Sequence, residues 1–165
     1  MIKAVLVGDP SRITESIRSL FPKIKFEVGR SMARLVIALS NKIKFEKLTG
    51  QVLRNRSGRL RDSISPRVTE SGNTVVGEVG TNVAYASIHE YGGRTPAHDI
   101  FPRKGRALAF MMGGKQVIVK SVHHPGSVFP ERSFMRTALN EMEPQIRAEF
   151  ENAISEVISC MRGAA

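Results

Sequence analysis

The chain has 165 residues and a net charge of +10, from 25 lysines and arginines against 15 acidic residues. Its hydrophobic content of 41% suits one soluble domain with a core of its own. No apolar run reaches the roughly 20 residues of a membrane-spanning helix, and the apolar start at residues 2–7 is too short for a signal peptide. The single cysteine, Cys160, excludes an internal disulfide bond.

The charge is unevenly distributed along the chain. Residues 138–159 hold five glutamates against one arginine, so this segment carries −4 and the rest of the chain carries +14. Such asymmetry predicts a basic surface that meets an acidic partner, which is either nucleic acid or another protein.

The first third of the chain predicts a strand followed by two helices. Residues 2–7 are apolar and rich in β-branched side chains, and Asp9 and Pro10 are residue types that begin a helix. Pro22 is expected to end that first helix. The second helix covers residues 23–47, and its apolar stripe faces either the core or a subunit contact. The stripe consists of Val28, Met32, Leu35, Val36, Leu39 and Ile43.

The remaining residues predict two hairpins, two short helices and one long helix. The hairpins have strands at 67–70 and 74–80 and at 106–112 and 115–122, with Ser71-Gly72-Asn73 and Gly113-Gly114 as turns. The helices are expected at 59–64, at 84–91 and at 131–161. Gly92 closes the middle helix, residues 93–105 form a loop, and Pro144 kinks or breaks the last helix.

This order of elements predicts an α+β fold. An antiparallel sheet of two hairpins packs against the long helix of the N-terminal half and the long C-terminal helix. We expect a single domain over 1–165, in which 23–165 is the core and carries a loop and hairpin at 93–130. Residues 1–22, a strand and a short helix, are then either a partner-specific addition or an arm exchanged between subunits.

No motif in the chain predicts catalysis, a cofactor or a metal. Gly113-Gly114-Lys115 is not a phosphate-binding loop, because Ala109 and Gln116 stand where the motif needs Gly and Ser or Thr. Neighbouring histidines such as His123 and His124 point to opposite sides of an extended segment. The chain also lacks the Gly-x-Ser-x-Gly turn of serine hydrolases. We expect a protein that is not an enzyme.

Five arginines lie within fourteen residues, with Asp62 as the one acid among them: Arg54, Arg56, Arg59, Arg61 and Arg67. The planar guanidinium group suits phosphate and carboxylate equally. This stretch is therefore a solvated loop, a DNA-binding surface, or a contact to an acidic neighbouring subunit. A DNA-binding surface would need a recognition helix or stacking aromatic residues, and the chain has no Trp and only two Tyr, both outside the stretch.

Four segments follow one another in a distinctive order: Ser57-Gly58-Arg59-Leu60-Arg61-Asp62-Ser63, Val79-Gly80-Thr81, Tyr85-Ala86-Ser87-Ile88-His89-Glu90-Tyr91-Gly92 and Pro130-Glu131-Arg132-Ser133-Phe134. Their order resembles the tail-completion and head–tail joining proteins of tailed bacteriophages, the virion morphogenesis family. The resemblance covers residues 28–150. Ser133 departs from the proline expected before the phenylalanine, and residues 1–22 have no counterpart in the family pattern.

The resemblance assigns structural roles to ten positions: Gly58, Leu60, Ser63, Gly80, Thr81, Tyr85, Ala86, Glu90, Gly92 and Phe134. The three glycines are expected at tight backbone positions. Tyr85 and Phe134, with Ile88, are expected to anchor helices in the core. Glu90 is expected to pair with Arg59 or Arg61, or to cap a backbone group.

The resemblance implies a structural virion protein that completes the tail or joins it to the head at the neck, as part of an oligomeric ring, in particular a hexamer. It would bind copies of itself, the connector or stopper, the tail terminator and the tail tube, and non-specifically the DNA in the lumen. Its basic surface would also include Arg94, Arg103 and Lys104. It would reside in the virion, at the neck or the head-proximal tail end, and in the host cytoplasm during assembly. The alternative is a small, basic, non-enzymatic DNA-binding protein.

Overall fold

One helix, α1, accounts for most of the first third of the chain and runs from Pro10 to Lys42. This computed structural model describes residues 10–53, 57–103 and 105–162; the predicted strand at 2–7 and the Asp9 cap lie outside them. The chain forms two compact units, which we name the discontinuous unit (residues up to 83 and from 134 onward) and the inserted unit (residues 84–133). In the described ranges, no helix has the length and apolarity to cross a membrane.

Helix α1 continues through Pro22, so the prediction that this proline ends a helix is wrong. Proline removes one backbone hydrogen bond, to the carbonyl of residue 18, and costs about 3 kcal/mol inside a helix. Arg18 and Pro22 are both exposed, so water can satisfy the freed carbonyl, and the long apolar stripe of the helix offsets the loss.

The predicted stripe of α1 faces inward. Its buried members are Leu35, Val36 and Ile43, and its half-buried members are Val28, Met32 and Leu39. The helix then widens into one π-helical turn, Ile43–Lys47. That turn ends where the Leu48 N–H donates to the Ile43 carbonyl at 3.0 Å.

The first predicted hairpin forms and packs on α1. Strand β1 (Ser65–Ser71) follows the short helix α2 (Arg59–Ser63) and pairs antiparallel with β2 (Thr74–Gly80). Gly72 takes a φ of 53° at the first loop position, where a type II′ hairpin turn places glycine. Exposed and half-buried residues alternate along β2, as expected of a strand with one covered face.

Helix α1 approaches β2 most closely at Gly77. A Cβ atom on Gly77 would lie 2.6 Å from Cγ1 of Val36, and it would also collide with the sulfur of Met32. The chain therefore needs glycine here for helix and strand to meet, although the sequence did not single this residue out.

Helix α4 (Met135–Arg162) closes the discontinuous unit against α1 and runs through Pro144 without a break. Ion pairs join Arg34 to Glu149, and Lys47 to Glu141 at 2.6 Å. Because the earlier residue of α1 meets the later residue of α4, the two helices are antiparallel. The buried side chains of α4 are Ala138, Met142, Ala153 and Val157.

The inserted unit begins with helix α3 (Ala86–Tyr91) and continues as an interrupted two-stranded ribbon. Strand β3 (Gly93–Thr95) pairs with β8 (Ser127–Phe129), β4 (His98–Ile100) with β7 (Val122–His124), and β5 (Leu108–Met112) with β6 (Lys115–Val119). Strand β4 ends at Ile100 and β5 begins at Leu108, whereas β6 ends at Val119 and β7 begins at Val122, so the connection between the last two pairs is longer on the outgoing side of the ribbon.

The predicted α+β class is confirmed, with two differences in detail. The two hairpins belong to separate two-stranded sheets, one in each unit, instead of one common sheet. The predicted loop at 93–105 contains β3 and β4. Both strands have only three residues, and their partners lie about 25 to 35 residues later, so no local alternation could indicate them.

We expect Gly77→Ala to lower the free energy of unfolding by about 1–3 kcal/mol, because an added methyl group must displace Met32 and Val36 in packed surroundings. Chemical denaturation measures the change. Gly80→Ala is the matched control in the same strand, since a Cβ there meets nothing within 4 Å. Equal effects of the two substitutions would contradict the close approach of α1 to β2.

Acid should weaken the α1–α4 contact. The ammonium group of Lys47, followed by that of Lys42, holds the pKa of Glu141 below its usual range, and the Arg34 guanidinium does the same for the pKa of Glu149. A lowered pKa in the folded state contributes stability above the ordinary pKa of glutamate, and this contribution is lost as the pH falls through the folded-state pKa. The melting temperature should therefore fall on acidification below about pH 4.5.

The double variant Glu141→Gln/Glu149→Gln tests this cause. Its melting temperature should depend less steeply on pH than that of the wild type over the same acid range. Glu78→Gln/Glu156→Gln is a matched control, because it removes two exposed carboxylates that form no ion pair with any residue the structure describes. If the control flattened the pH dependence as strongly, the two ion pairs to α1 would not be its origin.

Candidate functional site: the motif residues and the basic surface

The first motif segment of the discontinuous unit begins at a left-handed glycine. Gly58 has φ 78° and caps α2, and its carbonyl accepts a hydrogen bond from the Asp62 N–H at 2.8 Å. A Cβ atom here would lie 2.9 Å from a carboxylate oxygen of Asp62. The backbone conformation and the crowding both favour glycine.

Two motif segments that are distant in sequence meet through a pair of hydroxyl groups. Ser63 Oγ lies 2.6 Å from Thr81 Oγ1 and donates to the Leu60 carbonyl at 2.7 Å. Thr81 Oγ1 accepts the Val83 N–H at 3.2 Å. Since the Ser63 proton is used, the Thr81 hydroxyl must donate to Ser63 Oγ. This network holds the end of α2 against the chain that leaves β2.

Apolar packing supports the hydroxyl network. Ile64, directly after Ser63, is 1% exposed, and Val83 is buried as well. Leu60 is half-buried. Gly80 differs from the expectation of a tight position, because a Cβ there would meet nothing within 4 Å.

In the inserted unit, the motif residues of α3 divide between buried and exposed positions. Ala86 and Glu90 are buried, whereas Tyr85 is 41% exposed. The ring of Tyr85 stands edge-on to His89, which in turn stands edge-on to Phe129, each pair with centroids 6.0 Å apart. Tyr85 therefore lies on an aromatic row at the surface and is not the core anchor that the sequence suggested.

Glu90 is held by a residue that the sequence analysis did not connect with it. Ser133 Oγ donates to Glu90 Oε1 at 2.7 Å, and the glutamate is only 4% exposed. Ser133 is the residue that replaces the expected proline, so the departure from the family pattern supplies a hydrogen-bond donor. Arg61, one of the partners predicted for Glu90, forms an ion pair with Asp62 at 2.9 Å.

The segment before α4 passes close to the end of α3. Gly92 has φ 70°, and a Cβ atom on it would lie 2.9 Å from the Glu131 nitrogen and 3.1 Å from the Phe129 oxygen. The Arg132 N–H donates to the His89 carbonyl at 2.8 Å. Gly92 is thus a tight position for two reasons, its positive φ and its backbone neighbours. Phe134, the next motif residue, is fully buried.

The structure places the predicted basic residues on both units. Arg59 and Arg67 are exposed on the discontinuous unit, where Arg61 is half-buried. On the inserted unit Arg94 and Arg103 are exposed. Arg54, Arg56 and Lys104 lie outside the described residues. The predicted basic residues that the structure describes therefore occur on both units.

The histidines form contacts within the ribbon. His98 stands opposite His124 across β4 and β7, with ring centroids 5.2 Å apart. His123 faces Asp99, and its Nδ1 lies 2.8 Å from a carboxylate oxygen. His123 and His124 thus lie on opposite sides, as predicted. Over the described part of the chain, no three His, Cys, Asp or Glu side chains converge as a metal site would require.

Comparison with known proteins identifies a family. The model of the phage virion morphogenesis family matches residues 37–158. This range contains both hydroxyl partners, all of α3 and the ribbon, and most of α4. No curated protein and no solved structure matches the chain.

Gly92→Ala should loosen the inserted unit, because it forces alanine into a left-handed conformation and against two backbone atoms. We expect a loss of at least about 2 kcal/mol. Hydrogen exchange of the amides in residues 86–103 and 105–132 measures it. Gly105→Ala has a comparable φ, 98°, but open space around it, so it reports the conformational cost alone. Equal losses would refute the role of the close contact.

Proposed function

We infer that this chain, which belongs to the phage virion morphogenesis family, completes the tail or joins it to the head at the neck. The family match over residues 37–158 carries the proposal. It includes the hydroxyl network of Ser63 and Thr81 and the contact of Glu90 with Ser133, which hold the backbone of the two units in place.

The protein acts by packing as part of an oligomeric ring, in particular a hexamer, and performs no chemical step. Large apolar side chains on both units support an assembling surface. Phe26 and Phe45 expose more than 60% of their area on the discontinuous unit, as do Tyr91 and Val128 on the inserted unit. Exposed apolar side chains mark a contact with another molecule where they join into one large patch, and in a ring such patches would lie between subunits.

The neighbours in the virion are the connector or stopper, the tail terminator and the tail tube. Exposed arginines on both units support binding to acidic surfaces of these rings, because guanidinium pairs well with carboxylate. The same arginines would contact DNA phosphates in the lumen without reading sequence. The protein would thus reside at the neck or the head-proximal tail end.

A phage in which this gene is stopped early tests the proposal. Electron microscopy of the lysate should show DNA-filled heads lying apart from tails, or tails with abnormal ends. Wild-type protein supplied from a plasmid should restore joined particles. Intact, infectious virions without the protein would sink the structural function.

The same complementation assay tests the basic surface of the discontinuous unit. Arg59→Glu/Arg67→Glu should fail to restore joined particles, since both side chains are exposed and their reversal repels an acidic neighbour. Arg18→Glu/Lys23→Glu changes the charge equally on an exposed part of α1 and serves as the control. Restoration by both variants would remove these two arginines from the contact.

A free-standing DNA-binding protein is the second candidate, favoured by the net charge of +10. Gel-shift titration over a range of salt separates the two functions. A true DNA-binding protein keeps micromolar or tighter affinity at moderate salt, whereas a neck protein with incidental phosphate contacts loses its affinity steeply as salt rises.

A further inference from the structure

The hairpin of β5 and β6 carries apolar side chains on the surface of the inserted unit. Among the strands that the structure describes, these two pair only with each other. Met111, Met112 and Ile118 expose 68%, 68% and 65% of their area. An isolated two-stranded hairpin is marginal in water, and its apolar side chains gain most by being covered. We name residues 108–120 the arm.

The arm lies in a strongly basic part of the chain. Residues 100–130 contain no acid and five bases: Arg103, Lys104, Arg106, Lys115 and Lys120. DNA would satisfy the charges but would leave the methionines and Ile118 without apolar partners. The chemistry of the arm therefore fits a protein surface that is both acidic and apolar.

Such a surface is present on α4. Glu141 and Glu149 form ion pairs with Lys42 and Arg34 of α1. Glu143 and Glu151 lie eight residues apart on the other side of the helix and are exposed. Glu143 has only a loose contact with Arg147, 3.6 Å apart, between two largely exposed side chains, and such pairs contribute little. Glu151 makes no ion pair with any described residue.

Apolar side chains accompany these glutamates on the same side of α4. Leu139, Ile154 and Ile158 are 46%, 40% and 43% exposed. At 3.6 residues per turn, these positions follow one another with Glu143 and Glu151 along one strip of the helix. We name Leu139, Glu143, Glu151, Ile154 and Ile158 the α4 strip.

We propose that the arm of one copy docks on the α4 strip of a second copy of this chain. Met111 and Ile118, which the strand register places on one face of the hairpin, cover the exposed isoleucines. Lys115, beside the turn, and Lys120, directly after β6, reach Glu143 and Glu151 with their long side chains. The contact uses two different surfaces of the same protein, so it is head-to-tail and can propagate around a ring. It rests on the proposed ring and names the surfaces that join its subunits.

Charge exchange between two variants tests the contact on the purified full chain. Lys115→Glu/Lys120→Glu reverses the arm, and Glu143→Lys/Glu151→Lys reverses the strip. Sedimentation velocity at low salt should show the wild type as an oligomer. Each variant alone should associate at least about tenfold more weakly, because like charges then face each other. Circular dichroism establishes that each variant is folded.

The decisive sample is the mixture of the two variants. In alternating order, every arm again faces a strip of opposite charge, so the mixture should recover the association of the wild type. Arg18→Glu/Lys23→Glu, which makes on α1 the same change in charge as the arm variant makes, should associate normally. A wild type that stays monomeric, variants that associate normally, or a mixture that fails to recover would each overturn the proposed contact.

Two further readouts separate this inference from the function. If the arm variant loses DNA binding in a gel shift but keeps its association, the arm contacts DNA and the docking is wrong. The phage with the stopped gene reports on joining independently. Separated heads and tails in that phage, together with arm variants that still associate, would keep the neck function and discard the contact between arm and strip.

Discussion

The return of α4 to α1 is the contact on which the rest of the structure depends. The core of the discontinuous unit is incomplete without it, because Leu35 and Val36 of α1 and Met142 and Val157 of α4 are buried in the same unit. The chain makes this contact only after the fifty residues of 84–133. The entropic cost of closing a loop grows slowly with the length of the loop. Because the inserted residues fold into a unit of their own, they add little to this cost, and a whole unit can be inserted between β2 and α4.

Polar groups hold the chain on both sides of this insertion. Where the chain enters the inserted unit, the hydroxyl groups of Ser63 and Thr81 fix it two residues before the buried Val83. Where the chain leaves the inserted unit, Ser133 donates a hydrogen bond to Glu90 immediately before the fully buried Phe134. The motif segments that define the family resemblance are therefore largely those that hold the ends of the insertion.

Periodic patterns in the sequence predicted the long helices and both hairpins, because each depends on neighbours within a few residues. The features that were missed depend on distant neighbours. Pro22 remains inside α1 because the freed carbonyl is solvated, and β3 finds its partner only at β8. Gly77 is required by Met32 and Val36 on another element. For the candidate site, the sequence identified the motif residues but not the bond from Ser133 to Glu90, since side-chain pairing over 43 residues has no local signal.

The net charge of +10 opposes the association of this protein with copies of itself. Identical copies repel one another, and the repulsion grows with each copy added. A ring is then stable only where local contacts pair opposite charges or cover apolar area. The five glutamates of α4 can supply the negative charges for such pairs, but two of them, Glu141 and Glu149, already form ion pairs with α1. The remaining excess of positive charge favours an anionic neighbour, which DNA or an acidic ring can supply. Salt should therefore act in two directions, screening the overall repulsion and weakening the local pairs, so the sign of its effect on association reveals which of the two is larger.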